Sequence, residues 1–478
     1  MLDLSPDDFR RIGHRTVDLL ADYFESLSRR PCRTTVPDDV REELMHQPTP
    51  DKGTDADELL EYVQSTVLRY PMGNGSPRFF AWGNSPPAPI GALGELIAAV
   101  LNPSVAGGDH AATYLEHGVL GWMRAILGFP PDSGAILTSG GSVANLIGLA
   151  VMRHVHTGGS VRADGLRGSR PALVVYTSHE GHSCIQKAVE LLGIGHAHLR
   201  RVPVTASWQM DVSALQKAID DDRAAGLTPA CVAASAGTVN TGAIDPLDAV
   251  ADICVAERMW FHVDAALGGP GILLPKLTPL YEGLTRADSV AIDPHKWMYV
   301  PVECGCAVVR DRHAMRDAFS LVPAYLRDDR VLPWFSEFGI QQTRGFRALK
   351  LWLALKSTGL DGYREALGHD LKMADALRQR LRASDDFELV SDGPLSITCF
   401  RYAPSSCRSD DLDGVNRSAL EAVQRDGEVF LTGTELAGRF VLRACTLNFR
   451  TTEEDVDALV TAIRSAGRRL TDGAAAEL

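Results

Sequence analysis

Trp260-Phe261-His262-Val263-Asp264-Ala265-Ala266 and Ser289-Val290-Ala291-Ile292-Asp293-Pro294-His295-Lys296-Trp297 are the stretches whose reading decides the fold. Each opens as a short apolar run and closes on charged or imidazole side chains. Residues 260–263 and 289–292 read as buried strands. The same texture recurs outward from them. Residues 172–176, 230–234 and 306–309 read as further strands, with helical stretches such as 143–154 and 183–192 between. Apolar strands alternating with helices predict an α/β fold with a mainly parallel central sheet, covered by helices on both faces. Ligands of such folds collect at the carboxyl ends of the strands. The residues that close each strand are therefore the candidates for chemistry.

Beyond residue 350 the pattern changes. Helical stretches at 347–357 and 363–383, then strands near 387–390, 396–402 and 439–444, predict a smaller α+β domain. At the other end, residues 5–28 read as one amphipathic helix. Ser5 suits the N-cap, Pro6 the first helical position, and Asp7 and Asp8 the positive end of the helix dipole. Phe9, Ile12, Thr16, Leu20, Tyr23 and Leu27 form its apolar stripe. A polar, proline-bearing stretch at 31–54 separates this helix from the rest, so its stripe is covered either by its own domain or, the expected reading, by a second subunit. The predicted organisation is 1–85 as an N-terminal helical dimerisation segment, 86–350 as the large domain and 351–478 as the small one.

The chain has 478 residues, 45% of them hydrophobic, with 48 Lys and Arg against 61 Asp and Glu, a net charge of −13. That is globular composition, and its acidity excludes a polyanion binder, so no nucleic acid is expected. No apolar run reaches the ~20 residues of a membrane span. The best, 90–101, is short and carries Glu95. Met1-Leu2-Asp3-Leu4-Ser5 has neither the basic nor the apolar region of a secretory signal. Nine cysteines show no repeating spacing, and Cys304-Gly305-Cys306 is the one close pair. A cytoplasmic protein with reduced thiols is expected.

Four features fall at strand ends. Thr138-Ser139-Gly140-Gly141-Ser142 runs straight into an apolar helix, and a glycine turn opening a helix suits a phosphate. Asp264 closes one strand. It points into the ligand crevice or caps the next helix. Lys296 follows another strand beside Trp297, and an ammonium so placed is paired or perturbed unless it reaches the surface. His182, in Ser178-His179-Glu180-Gly181-His182-Ser183, follows a third. A phosphate cradle, an acid, a lysine and an imidazole on one sheet edge are the requirements of pyridoxal 5′-phosphate (PLP). A metal site of His262, Asp264, Asp293 and His295 is the rival, but it leaves the glycine turn and Lys296 without a role.

Asp293-Pro294-His295-Lys296-Trp297, with His262-Val263-Asp264-Ala265-Ala266 and Gly181-His182-Ser183 upstream, resembles the group II PLP-dependent amino-acid decarboxylases, most of all the aromatic L-amino-acid decarboxylases and their bacterial relatives. The likeness runs collinearly from Pro77-Arg78-Phe79-Phe80 to Thr343-Arg344-Gly345-Phe346-Arg347-Ala348-Leu349-Lys350 and beyond. It implies an aspartate-aminotransferase-like fold, a homodimer and an L-amino-acid substrate. It also implies roles. Lys296 is the Schiff-base lysine. Asp264 pairs with the pyridinium nitrogen, and His182 stacks on the ring. Gly141 and Ser142 hold the phosphate together with Thr238. His295 lies beside the lysine, and Ala266 packs on the ring's other face. Val322-Pro323-Ala324-Tyr325-Leu326 matches an active-site loop whose tyrosine returns a proton to Cα. Relatives that make aldehydes replace that Tyr or the stacking His, and this chain keeps both. Phe79, Phe80 and Trp82 suggest an aromatic substrate pocket. Trp82 stands where animal enzymes carry a small substrate-contacting residue, which argues against catechol specificity; tryptophan, tyrosine or phenylalanine is the expected substrate. An aliphatic amino-acid decarboxylase, a decarboxylating aldehyde synthase and a silent scaffold are the alternatives.

Overall fold

The computed structural model describes residues 3–166, 172–321 and 332–475. Its strands, in chain order, are β1 (Phe79–Phe80), β2 (Gly134–Thr138), β3 (Leu173–Ser178), β4 (Leu199–Val202), β5 (Thr228–Ser235), β6 (Trp260–Asp264), β7 (Ser289–Ile292), β8 (Gly305–Val309), β9 (Phe387–Ser391), β10 (Ile397–Tyr402), β11 (Phe430–Leu436) and β12 (Arg439–Cys445). They form a seven-stranded sheet, β2-β8-β7-β6-β5-β3-β4, and a five-stranded one, β1-β11-β12-β10-β9.

Two units carry these sheets. The larger comprises Gly83–Leu371 with Ser391–Ile397. Its sheet is parallel from β4 to β7, and β8 runs antiparallel to both neighbours, β7 and β2. The α/β expectation with a mainly parallel sheet therefore holds. β2, β6, β7 and β8 are buried along their whole length, which is why they read as continuous apolar runs rather than alternating ones. β2 and β4 are additions to the strands expected from the sequence. β4 is short, and its two arginines hide it.

The smaller unit comprises Met1–Trp82, Lys372–Val390 and Thr398–Leu478. The N-terminal residues thus share a unit with the C-terminal ones: β1 pairs in parallel with β11, Phe79 opposite Phe430. A pairing so distant along the chain leaves no mark on local periodicity. The expected boundary at 350/351 lies inside the stretch Arg347–Arg382, which breaks at Gly359 (φ 66°) into the two helices expected from the sequence. Leu351, Ala354, Tyr363 and Leu367 are buried on the larger unit's side of the divide at 371/372.

The N-terminal helix spans Pro6–Ser26 and is capped by the Ser5 hydroxyl, which accepts from Asp8 N at 3.1 Å. None of its residues is fully buried. Arg11 and Arg15 bridge from it to Asp57, in the helix Ala56–Tyr62, at 2.6 and 2.5 Å. Phe9, Val17 and Leu20 stay exposed.

Candidate functional site

The carboxyl ends of the parallel strands bring the predicted groups together. β2 ends at Thr138, and the helix Gly141–His156 begins three residues later. The N–H groups of Val143 and Ala144 both bond Gly140 O, at 3.0 Å. Those of Gly141 and Ser142 come before this first hydrogen-bonded turn, the kind of helix-start N–H groups that suit an anion. Close approach explains the glycine at 141. A Cβ there would stand 2.7 Å from Asp293 Oδ2 and 3.1 Å from Ala266 Cβ. At 140 it would meet the His295 ring at 3.2 Å. Ser142 is exposed at the helix start.

Register places Asp264 opposite Ser235 on one side and Ala291 on the other. Its Oδ1 accepts from Ala266 N at 3.1 Å, and its Oδ2 lies 3.9 Å from Cys184 Sγ. Lys296 sits in the turn after β7, its Nζ 2.9 Å from Asp293 Oδ2. Burial pulls the lysine pKa down, but the Asp293 and Asp264 carboxylates outweigh it and hold the ammonium above its usual value. Ser85 fixes the turn by donating to Lys296 O at 2.5 Å. His295 Nδ1 accepts from Cys304 N at 3.1 Å, and burial keeps that imidazole below its usual pKa.

His182 is the N-cap of the helix Ser183–Leu191, its Nδ1 accepting from Cys184 N at 3.1 Å. The ring proton is then on Nε2. Burial depresses its pKa, so the ring is neutral near pH 7.

Some predicted residues stand elsewhere. Phe80 has no exposed surface. It is packed in the smaller unit's core with Phe400, Leu431, Leu442 and Leu459, which removes it from any substrate pocket. Trp82, in contrast, is 44% exposed and rests on Phe79 and Phe430. The Thr238 hydroxyl is buried in its own loop, 2.8 Å from Thr241 Oγ1, and accepts from Ala243 N at 3.1 Å. Tyr325 and the rest of 322–326 lie outside the described residues. The rival metal reading fails at His262, because Nδ1 is 2.8 Å from Ser289 Oγ and Nε2 is 2.6 Å from Asn145 Oδ1. Both ring nitrogens are engaged. The Asp293–Lys296 ion pair, and Asn145 and Cys184 beside Gly141 and Asp264, are contacts that the sequence does not announce, although 293 sits three residues before the lysine, a spacing that closes one turn.

Burial also holds His262 neutral, its pKa lowered to about 4. The unfolded imidazole takes up a proton below pH ~6.5 while the folded one does not. Stability should therefore fall with acidification between pH ~6.5 and ~4, by about 1.4 kcal/mol per pH unit from this group. Denaturant unfolding across that window should show a shallower slope for His262→Gln than for wild type. Equal slopes would contradict a neutral buried His262.

The residues present fit PLP. Backbone donors of a helix start suit the phosphate, and the missing Cβ at 141 lets Asp293 and Ala266 close in beside that turn. Asp264 suits a cationic ring nitrogen, and Lys296 an aldehyde. Asp293 Oδ1, buried beside them, has no hydrogen-bond partner among the described residues and awaits one.

Comparison with known proteins points to the same cofactor. Residues 37–403 match the pyridoxal-dependent decarboxylase conserved domain. The chain is 32% identical to an aromatic-L-amino-acid decarboxylase of Bacillus atrophaeus, over 97% of this chain and 96% of that protein. It is 30% identical to a phenylacetaldehyde synthase of Petunia hybrida, over 92% and 90%. The crystal structure of Oryza sativa TDC with PLP and tryptamine superposes with a TM-score of 0.92 at 28% identity, covering 98% of this chain and all of that one. The chain belongs to the pyridoxal-dependent decarboxylase family and is a PLP-dependent amino-acid decarboxylase.

Proposed function

We infer that this member of the pyridoxal-dependent decarboxylase family takes an aromatic L-amino acid, of the tryptophan, tyrosine or phenylalanine kind, to its amine and CO2. The observation that carries the reading is the convergence of Lys296, Asp264 and the Gly141–Ser142 turn on one sheet edge. Bound PLP supplies a cationic ring that draws in the electron pair left on Cα when CO2 departs. The protein's part is placement. Lys296 offers the amine that holds the cofactor, and Asp264 the negative charge that keeps the ring nitrogen protonated. His182 would lie against one face of the bound ring and Ala266 against the other. Gly141 and Ser142 would hold the phosphate with His295 close by. Tyr325 returns one proton to Cα. The aromatic side chain is supported by the substrates and products named for the relatives.

The kinship with a phenylacetaldehyde synthase favours a second reading, in which the same start ends in an aldehyde. An assay of the PLP-loaded protein with each of the twenty L-amino acids separates the readings. Aromatic amines without O2 uptake are expected. An aliphatic amine replaces the substrate class, peroxide release replaces the product, and no turnover by a folded, loaded protein overturns the reading.

The active form is proposed to be a homodimer. The helix Pro89–Leu101 leaves Leu93, Leu96, Ile97, Val100 and Leu101 about half exposed or more, as the N-terminal helix leaves Phe9, Val17 and Leu20. Such apolar rows call for cover. Sedimentation equilibrium should give twice the chain mass, and an active monomer would refute it. The cytoplasm is the proposed compartment. All nine cysteines are free thiols, which suits reducing surroundings. No helix among the described residues is long and apolar enough to cross a membrane.

A further inference from the structure

Behind the PLP-facing edge lies a buried hydrogen-bond chain that the reaction does not use directly. β6 presents Trp260, His262 and Asp264 at alternate positions, hence on one face. Trp260 Nε1 donates to Ser289 Oγ at 2.8 Å. An indole nitrogen only donates, so the chain can be read in one direction. Asn145 Nδ2 donates to Gly141 O at 2.8 Å and to Cys184 Sγ at 3.4 Å, which turns Asn145 Oδ1 toward His262 Nε2. His262 therefore carries its proton on Nε2, and its Nδ1 accepts from the Ser289 hydroxyl. The Cys184 thiol is left to point at Asp264 Oδ2, 3.9 Å away, and burial with the nearby Asp264 charge keeps it protonated. His262 and Asn145 are wholly buried, and Ser289 and Cys184 nearly so. The sequence makes room for the ring: a Cβ at Gly148 would stand 2.8 Å from His262.

One side chain joins the three elements that bear the cofactor groups. Asn145 touches the first turn of the phosphate helix at Gly141, the Asp264 strand through His262, and the His182 helix through Cys184. We propose that Asn145 is a positioning residue for PLP, held in its single productive orientation by the neutral His262–Ser289–Trp260 relay. It fixes the phosphate cradle, the Asp264 carboxylate and the His182 ring relative to one another. The inference rests on those three groups being the ones that hold PLP.

Asn145→Asp tests it, because the shape is kept and both donors are lost. PLP binding to the apoprotein is measured by equilibrium dialysis, the pH titration of the bound cofactor's absorbance is followed, and apoprotein melting is recorded. At pH 8 the variant is expected to bind PLP at least about tenfold more weakly, the scale of one lost buried hydrogen bond. The deficit should shrink toward pH 6, as a protonated carboxyl again donates to Gly141 O. The absorbance titration should move by about one pH unit, since Asp264 is reached through Cys184. Ser289→Ala, a milder break in the relay, should weaken PLP binding by about threefold. If Asn145→Asp does not fold, Ser289→Ala decides alone. PLP affinity within twofold of wild type, or weakened binding with an unmoved absorbance titration, would overturn the proposal. Wild-type apoprotein that fails to bind PLP would overturn the functional reading beneath it.

Discussion

Asp264→Asn is expected to give a folded protein whose amine production is roughly a thousandfold lower, about 4 kcal/mol of lost transition-state stabilisation. The fold should survive because an amide keeps most of the local contacts. Its oxygen can still accept from Ala266 N, as Oδ1 does at 3.1 Å, and its volume fits the same site. What it lacks is charge. A carboxylate 8% exposed, on a buried strand end, stabilises a protonated ring nitrogen far more than an amide does. A second readout comes from Lys296. Its ammonium is held above the usual value by Asp293 and Asp264 together, so losing one of them should lower the lysine pKa in the apoprotein. Lysine titration, read by pH-dependent chemical labelling, should move down while the melting temperature hardly changes. Near-wild-type amine output from Asp264→Asn would remove Asp264 from the mechanism.

Asp264, Lys296 and Gly141 are legible in the sequence because each ends or follows a short apolar run, and strand ends in a parallel sheet face the ligand. Sequence patterns are local, and they serve wherever the fold is local. They carry the helix Pro6–Ser26 with its Ser5 cap, the break near Gly359 and the strands β6 and β7. They fail where partners are far apart. Phe80 looks like a pocket residue because its motif neighbours do, yet it packs against Phe400, Leu431 and Leu442, all far along the chain. Asn145 and His262 lie 117 residues apart, and only the folded sheet places their polar atoms at 2.6 Å. His262 can then be read as a metal ligand, since sequence shows an imidazole but not what saturates it. Trp260 and His262 do leave one trace. Polar-capable side chains at alternate positions of a strand otherwise buried on both faces need partners, and that need is visible in the sequence.

Tyr325→Phe is expected to divert the product from amine to aldehyde. Residue 325 lies outside the described residues, and the expectation follows from the chemistry at Cα. After CO2 leaves, Cα must gain one proton, and whatever reaches it first sets the product. A phenol delivers that proton without net oxidation, and an amine results. Without it, O2 has time to react. Each aldehyde formed then consumes one O2 and one water, and releases ammonia and hydrogen peroxide beside CO2. The Phe variant keeps the aromatic ring and loses the hydroxyl alone. Amine output should fall about a hundredfold, the scale of a positioned general acid. CO2 release should continue, with peroxide and aldehyde appearing in equal amounts. An oxygen electrode beside a CO2 assay reads both branches at once. Should the variant still make amine at the wild-type rate without O2 uptake, the proton has another source. His182 is the group the geometry then offers. Its Nδ1 is occupied by Cys184 N, so its Nε2 carries the ring proton, and that N–H can orient a water that delivers the proton to Cα.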